Sequence, residues 1–529
     1  MKDEATSNLM PETEIANSQA ATGRIEDQDI LIAAKGGGIS FAGKLFEYLV
    51  RFVFSVIVAR KIGAEQFGLY TLGLTVATIA SNMALLGLQT GIVRFLPPAI
   101  RRRDDASIWG IIQVGIGLPA LISLVFSVGL FLLAGPLAAW AFHDPRLVTI
   151  FRLISLSIPL DTLGFIAYMI TISYKRPKYN VLANNIIAPL VKLSLTVGFL
   201  AIGMATLGVI KAQVIASAVS LGVMVFFVNS LFYLIRPLRE ARRNTGQLVR
   251  YSLPVHLGWM VNTVRGTLET LILGIVGLTT GVGVYAAAAR LNAIGSMFYL
   301  SIANISTPII ADLYSRGQSS QLKAFYQTTT RWLVSFNIPL FLTFVLFARP
   351  LLSIFGADFT TGSTGLIILS IGTLVYTGTG SGANTLDMTD HTKVNMVNSL
   401  FMVVISIGLD LLLIPRWGVV GAAAASALST TLINVVCLVE VWFLLHMQPY
   451  NWDLYKPFVA GLVTTVVTVM LNSRLVLSPL LHLIVGGIIL GCIYAVTLIA
   501  LGFSNEDLLV MNSLRSRFKK SIRFHGRLT

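Results

Sequence analysis

The chain has 529 residues, of which 55% are hydrophobic and only 12% charged. A water-soluble domain carries about 25% charged residues, so this composition excludes a soluble globular protein and leaves a membrane one. The net charge of +15 does not point to nucleic acid, because the Lys and Arg residues lie in short loops between apolar runs rather than on one polar face.

Residues 1–35 are polar, with several acids and no apolar core of the kind a signal peptide needs; they read as a disordered cytoplasmic tail. A spanning helix takes about twenty mostly apolar residues. That window finds an N-lobe over 36–234, with spans near 38–60, 67–92, 107–133, 147–173, 180–203 and 207–234. A basic cytoplasmic linker, 235–250, leads into a C-lobe over 251–446. Its spans lie near 249–276, 283–310, 329–348, 364–386, 394–414 and 419–445. Two further spans, near 455–472 and 479–502, fall within 447–503. Residues 504–529 form a basic amphipathic cytoplasmic tail, with Leu514, Phe518 and Ile522 spaced four apart among cations. The expected fold is an all-α polytopic membrane protein with about fourteen transmembrane helices, arranged as two pseudo-symmetric six-helix lobes plus two C-terminal helices.

Orientation follows from the loops. With both termini in the cytoplasm, Arg94, Arg101, Arg102, Arg103, Lys175, Arg176, Lys178 and most of the other Lys and Arg residues fall inside. Few fall outside, among them Arg60, Lys61 and Arg146. This is the positive-inside pattern, and it predicts a multi-pass protein of the inner (cytoplasmic) membrane with both ends cytoplasmic. Cys437 and Cys492 both lie in apolar runs and read as small buried hydrophobes, with no disulfide or metal framework.

The sequence repeats with a period of about 215 residues. Gly63, Gly68 and Tyr70 in the first half answer to Gly277, Gly283 and Tyr285 in the second. Lys178-Tyr-Asn180 likewise answers to Lys393-Val-Asn395, and Gly208-Val-Ile to Gly418-Val-Val. Parallel repeats place a site near the bilayer midplane, between halves that rock against each other.

Several of these stretches carry a family likeness. Gly38-Ile-Ser-Phe-Ala-Gly43, the run from Ala59 to Tyr70, Gly91-Ile-Val-Arg94-Phe, and Leu409 to Ala423 with Pro415 and Gly418 resemble the polysaccharide-biosynthesis flippases. These belong to the multidrug/oligosaccharidyl-lipid/polysaccharide exporter superfamily. The resemblance covers about residues 35–445. It implies twelve core helices in two lobes and movement of polyprenyl-pyrophosphate-linked oligosaccharides to the outer leaflet by alternating access. The extra C-terminal pair resembles that of the fourteen-helix lipid II flippases.

Ionisable side chains inside a span cost about 2.5–3.5 kcal/mol on insertion scales and are functional candidates by default. Arg51 and Arg265 each lie twelve residues before a repeat glycine, Gly63 or Gly277, so they are expected at pseudo-symmetric places facing the space between lobes. Guanidinium groups suit a pyrophosphate because they donate in pairs to phosphate oxygens. Arg290 and Lys192 are further cavity cations. Glu47 and Glu269, each four residues from an Arg, are expected as helical ion-pair partners, and Asp161 as an ion-pair or coupling residue. The other reading of these charges is a set of buried pairs that only fix helix rotation.

Two other function classes compete. A cation-drug antiporter of the same superfamily would line its cavity with acids, whereas the deep charges here are mostly cations. A membrane glycan polymerase or ligase would need catalytic residues in a sizeable outer loop, and no such loop or motif is present in the sequence. No enzyme activity, metal or cofactor is expected. The expected partners are the lipid-linked oligosaccharide substrate, membrane lipids and glycan-assembly enzymes, with no nucleic acid; a monomer suffices for two rocking lobes.

Overall fold

The computed structural model describes residues 12–233, 237, 241–242, 245–472 and 479–502, with side chains from Ala42 onward. The described residues form helices and no strand. In the first half these are α1 (Glu12–Ala84), α2 (Leu88–Arg102), α3 (Asp105–Pro136), α4 (Leu147–Ser155) and α5 (Ser157–Ser173). They continue with α6 (Pro177–Asn180), α7 (Ala188–Ala201) and α8 (Ala205–Leu231). A π-helical segment, Val181–Ile187, joins α6 to α7. The second half holds α9 (Thr245–Arg265), α10 (Leu268–Ile275), α11 (Thr279–Ser315), α12 (Ser319–Leu346), α13 (Ala348–Ser353), α14 (Ser363–Gly378), α15 (Gly382–Met388) and α16 (Thr392–Leu445). Then come α17 (Tyr455–Asn472) and α18 (Pro479–Ala500).

Two of these elements are hairpins. The backbone of α1 breaks at Gly63, where φ is 78° and ψ 172°. The rings of Phe54 and Tyr70 lie 6.2 Å apart across that break. In one straight helix sixteen residues would separate them by about 24 Å, so the chain doubles back. In α16 the break is Gly418 (φ 54°, ψ −125°), and Gly421 sits against the backbone of Leu413. By length and apolarity ten described helices can cross a membrane, or eleven if Ala42–Ala84 and α2, bent by 43°, make one span. That falls short of the expected fourteen. The α16 hairpin stands among the ten as one helix although it holds two arms, and α9, which carries Arg250 and Arg265, is not among them.

The backbone is already helical at Glu12, so residues 12–35 continue α1 where a disordered tail is expected; Ala, Glu and Gln recur there and favour a helix. Residues 1–11 and the basic 504–529 tail lie outside the described residues, as does part of the 235–250 linker. Cys437 is buried, but Cys492 is exposed on α18. That helix packs on α12, α13 and α17 through one side only, so an apolar residue on it need not be covered by protein.

The two halves meet where the repeat glycines lie. A Cβ on Gly68 would overlap the carbonyl oxygen of Thr279, and one on Gly283 would overlap that of Ala64. Backbones approach this closely only where neither helix carries a side chain. Around the crossing, Phe67 stacks edge-on against Phe359 at 5.8 Å and Phe52 against Phe355 at 5.8 Å. Arg60 Nε donates to the carbonyl of Ile354 at 2.5 Å, holding the end of α1's first arm to the turn after α13. Gly68→Val is expected to overpack this crossing by about 1–3 kcal/mol, read as a Tm several degrees lower for detergent-purified protein; an unchanged Tm would mean the helices separate there at little cost.

At the same end, in the loop between the third and fourth spans, Arg146 binds Asp144 at 2.8 Å and Glu65 of α1 at 2.7 Å. The Arg146 hydrogen bond holds the Asp144 carboxyl below the ordinary carboxylate range. Its stabilisation is therefore present above the unfolded Asp value of about 3.9 and is lost as pH falls through the lower folded value. Asp144→Asn is expected to lower Tm slightly at neutral pH, by the equivalent of about 0.5–1 kcal/mol where Arg146 and Glu65 stay half-exposed, and the gap is expected to shrink as pH falls through the lowered folded value. A gap that persisted in acid would assign the effect to packing.

Candidate substrate and coupling sites inside the membrane

Below the glycine crossing, Lys192, Arg290 and Arg51 lie within electrostatic reach of one another, with Lys192 bound to Tyr70. This tyrosine is buried on the second arm of α1. Its hydroxyl accepts from Lys192 Nζ of α7 at 2.8 Å, and the same ammonium lies 4.3 Å from the Phe54 ring centroid. Arg290, from α11 of the other half, stacks over Phe67 at 4.6 Å. Its Nη1 is buried and has no hydrogen-bond partner among the described residues. Arg51 comes from the first arm of α1 and pairs with Glu47 one turn away at 2.7 Å. Its side chain keeps 68% exposure, so it reaches toward the open side of the cluster. Lys192 and Arg290 lie within electrostatic reach of each other and of Arg51.

A second acid, Asp161 of α5, faces Ser157 and Ser217 and lies within reach of Lys192 and Arg51. Like charges repel strongly where water is sparse, and Glu47 and Asp161 offset only part of the three positive charges. The arrangement carries a net positive charge and one buried donor, Arg290 Nη1, with no partner among the described residues.

Arg265 is set apart from these cations and has its neighbours in its own half, Glu269 and Tyr376. The expected i,i+4 pair with Glu269 is not closed, because α9 ends at Arg265 and α10 restarts at Leu268 after Thr267 at φ −128°. No salt bridge joins the two among the described residues. Glu269 instead faces Ser426 and lies with Asp410 around the buried Tyr285. Asp410 is 1% exposed, and its Oδ1 has no partner among the described residues. The two repeat tyrosines therefore sit in opposite surroundings: Tyr70 among cations, Tyr285 between carboxylates.

Tyr70, Tyr285 and Ser426 were not singled out by charge, since only the repeat marked the tyrosines and nothing marked Ser426. Asp410 lies in the stretch that carries the family likeness, where position alone suggests a packing or capping role near the outer edge. Its burial beside Glu269 is a property of the hairpin at Gly418, which brings the end of one arm of α16 against α10.

Comparison with known proteins gives the family and the fold. The sequence pattern of polysaccharide biosynthesis proteins matches residues 33–314, more than half of the chain. The chain belongs to that family. A second pattern, MatE, matches residues 254–412. Among the family's relatives, the probable flippase AglR of Haloferax volcanii is 26% identical over 278 residues, covering 50% of this chain and 56% of that one. The probable low-salt glycan biosynthesis flippase Agl15 of the same organism is 25% identical over 207 residues, 38% of this chain and 42% of its own length. The match thus spans about half the length of these two proteins. Stage V sporulation protein B of Bacillus subtilis is 22% identical over 76% of this chain and 82% of its own. In fold, the chain is similar to the lipid II flippase MurJ in an inward closed conformation, with a TM-score of 0.69 at 14% identity over 87% of this chain and 97% of that one. An inward-facing MATE family transporter gives 0.65 at 14% identity over 77% of this chain and 98% of that one. This member of the polysaccharide biosynthesis family is therefore a multi-pass membrane protein with a MurJ- and MATE-like helical fold.

Tyr70→Phe is expected to remove the hydroxyl that holds Lys192 and to free its ammonium. The measurement is labelling of Lys192 by an amine-reactive reagent, followed by peptide mass mapping, and labelling is expected to rise several-fold. Equal labelling in both proteins would show that Phe54 alone keeps the ammonium in place.

Proposed function

We propose that the protein is a flippase that carries a lipid-linked oligosaccharide, its pyrophosphate held at the Arg51–Lys192–Arg290 cluster, from the cytoplasmic to the outer leaflet by alternating access. The observation that carries this reading is the convergence of three cations below the glycine crossing, one of them with a buried donor that nothing in the described residues satisfies. A pyrophosphate supplies several acceptor oxygens and the negative charge such a cluster lacks. The names of the relatives AglR and Agl15 point the same way.

In this reading the chain crosses the membrane fourteen times with both ends in the cytoplasm, as two six-helix lobes and a C-terminal pair. The Gly63 end faces outward and is closed; the Arg94 end faces the cytoplasm. Asp161 and Glu47 balance the cationic cluster while it is empty. Glu269 and Asp410, paired around Tyr285 in the second lobe, hold the coupling proton or cation, and Arg265 tunes their charge rather than touching the pyrophosphate. The protein catalyses no covalent step and acts as a monomer beside the glycan-assembly enzymes.

Reconstituted protein is expected to translocate a fluorescent polyprenyl-pyrophosphate oligosaccharide. Lys192→Gln and Arg290→Gln should each slow it by about ten-fold or more, the equivalent of one charge-assisted phosphate contact, and Arg265→Gln by less. Full activity in both cluster variants would remove the pyrophosphate from this place. The acid pair supports a second reading, antiport of organic cations. Proton-coupled cation efflux abolished by Asp410→Asn, with no flipping, would favour it.

A further inference from the structure

At the Arg94 end the two halves meet a second time, through α2 and α9. Arg94 stacks over Tyr251 at 4.2 Å, Phe95 packs edge-on against the same ring at 5.6 Å, and Gly91 lies against Ser252 and Leu248. Beside this seam is a cavity of about 380 Å³, bounded by α2, the start of α3 and the start of α9. That is room for roughly a dozen waters at about 30 Å³ each, and so for a small headgroup.

The lining is divided. Phe95, Pro98 and Val114 make an apolar wall, while Arg102, Asp104 and Arg242 make a charged rim. The rim is fixed in place by backbone contacts. Arg242 N–H donates to the Ala106 carbonyl at 2.9 Å, and Trp109 Nε1 donates to the Pro237 carbonyl at 3.1 Å, strapping the linker between the halves onto α3. The carboxylate of Asp104 is committed to capping α3, accepting from Ser107 N at 3.0 Å and Ser107 Oγ at 2.7 Å. Arg242 reaches it only at 3.8 Å, and Arg102 makes no ion pair with any described residue. Two guanidiniums thus lie beside one carboxylate that is already occupied by Ser107, next to an apolar wall.

We propose that this cavity binds the phosphate of an anionic membrane lipid, its headgroup between Arg102 and Arg242 and its glycerol and first methylenes on the Phe95–Pro98–Val114 wall. Guanidinium pairs favour a phosphate over other anions of similar charge because they donate in matched pairs, and the adjoining apolar wall favours an amphiphile over a free ion. A lipid here touches both halves across the α2–α9 seam and holds that end closed, so it slows the step that opens it. The inference rests on the flippase reading for the side of the membrane that this end faces; the chemistry of the cavity does not depend on it.

The test uses the full chain in nanodiscs of phosphatidylcholine with and without phosphatidylglycerol, reading retained lipid by native mass spectrometry, with inorganic phosphate as competitor. Wild type is expected to retain phosphatidylglycerol. The double variant Arg102→Gln/Arg242→Gln should lose about ten-fold in occupancy. Val114→Trp, which fills the wall and leaves the rim charges alone, should lose it too. Displacement of the lipid by inorganic phosphate would support the phosphate site itself, and binding of phosphate without phosphatidylglycerol would assign it to a soluble phosphate and overturn the lipid. Equal retention by wild type and both variants overturns the site. Glycan flipping on the same samples separates the two proposals: flipping without a retained lipid ends the lipid site alone, and a lipid lost in the variants of a protein that flips nothing ends the flippase reading alone.

Discussion

The crossing of Gly68 and Gly283 is the contact on which the rest depends. Two helices from different halves touch backbone to backbone there, and no other residue leaves room for it. That contact draws Phe67 and Tyr70 of α1 toward α11, which brings Arg290 over Phe67 and within reach of Lys192. Arg290 is the member of the cluster that comes from the second half, so its place beside Lys192 and Arg51 depends on this contact. A pair of helices held by close backbone approach rather than by interlocked large side chains can also separate without leaving a large cavity.

Charge is distributed unequally over a symmetric frame. The two halves use the same glycine and tyrosine positions, yet Tyr70 is met by Lys192 and Tyr285 by Glu269 and Asp410. Internal repeats fix where a cavity can be, because backbone geometry follows glycine and helix length. They leave the side chains at its wall free to diverge. One half carries a cluster of cations and the other a pair of acids.

The two seams also differ in kind. At the Gly63 end the halves are joined by glycine, by four phenylalanines and by Arg60 on the carbonyls of the α13 turn. At the Arg94 end they are joined by one stacked Arg–Tyr pair and a strapped linker beside a cavity. The first is dry and well packed, the second charged and incompletely filled.

Composition alone made this a membrane protein, because a chain with 12% charged residues cannot build a wetted surface. Periodic apolar runs and the family stretches carried the helical class and the family. The sequence also marked Arg51, Lys192, Arg265 and Arg290, since a charge in an apolar run is visible without any fold. It did not reveal which of them meet. Spacing from a repeat glycine made Arg51 and Arg265 a pair, but the break between α9 and α10 turned Arg265 toward its own half, and Arg290 took its place by stacking on a ring from the opposite half. Asp410 and Ser426 joined Glu269 only through the hairpin at Gly418. Local patterns determine helices because they act within a few residues; which side chains share a site is decided by helix breaks and crossings between segments more than two hundred residues apart, and these are properties of the folded chain alone.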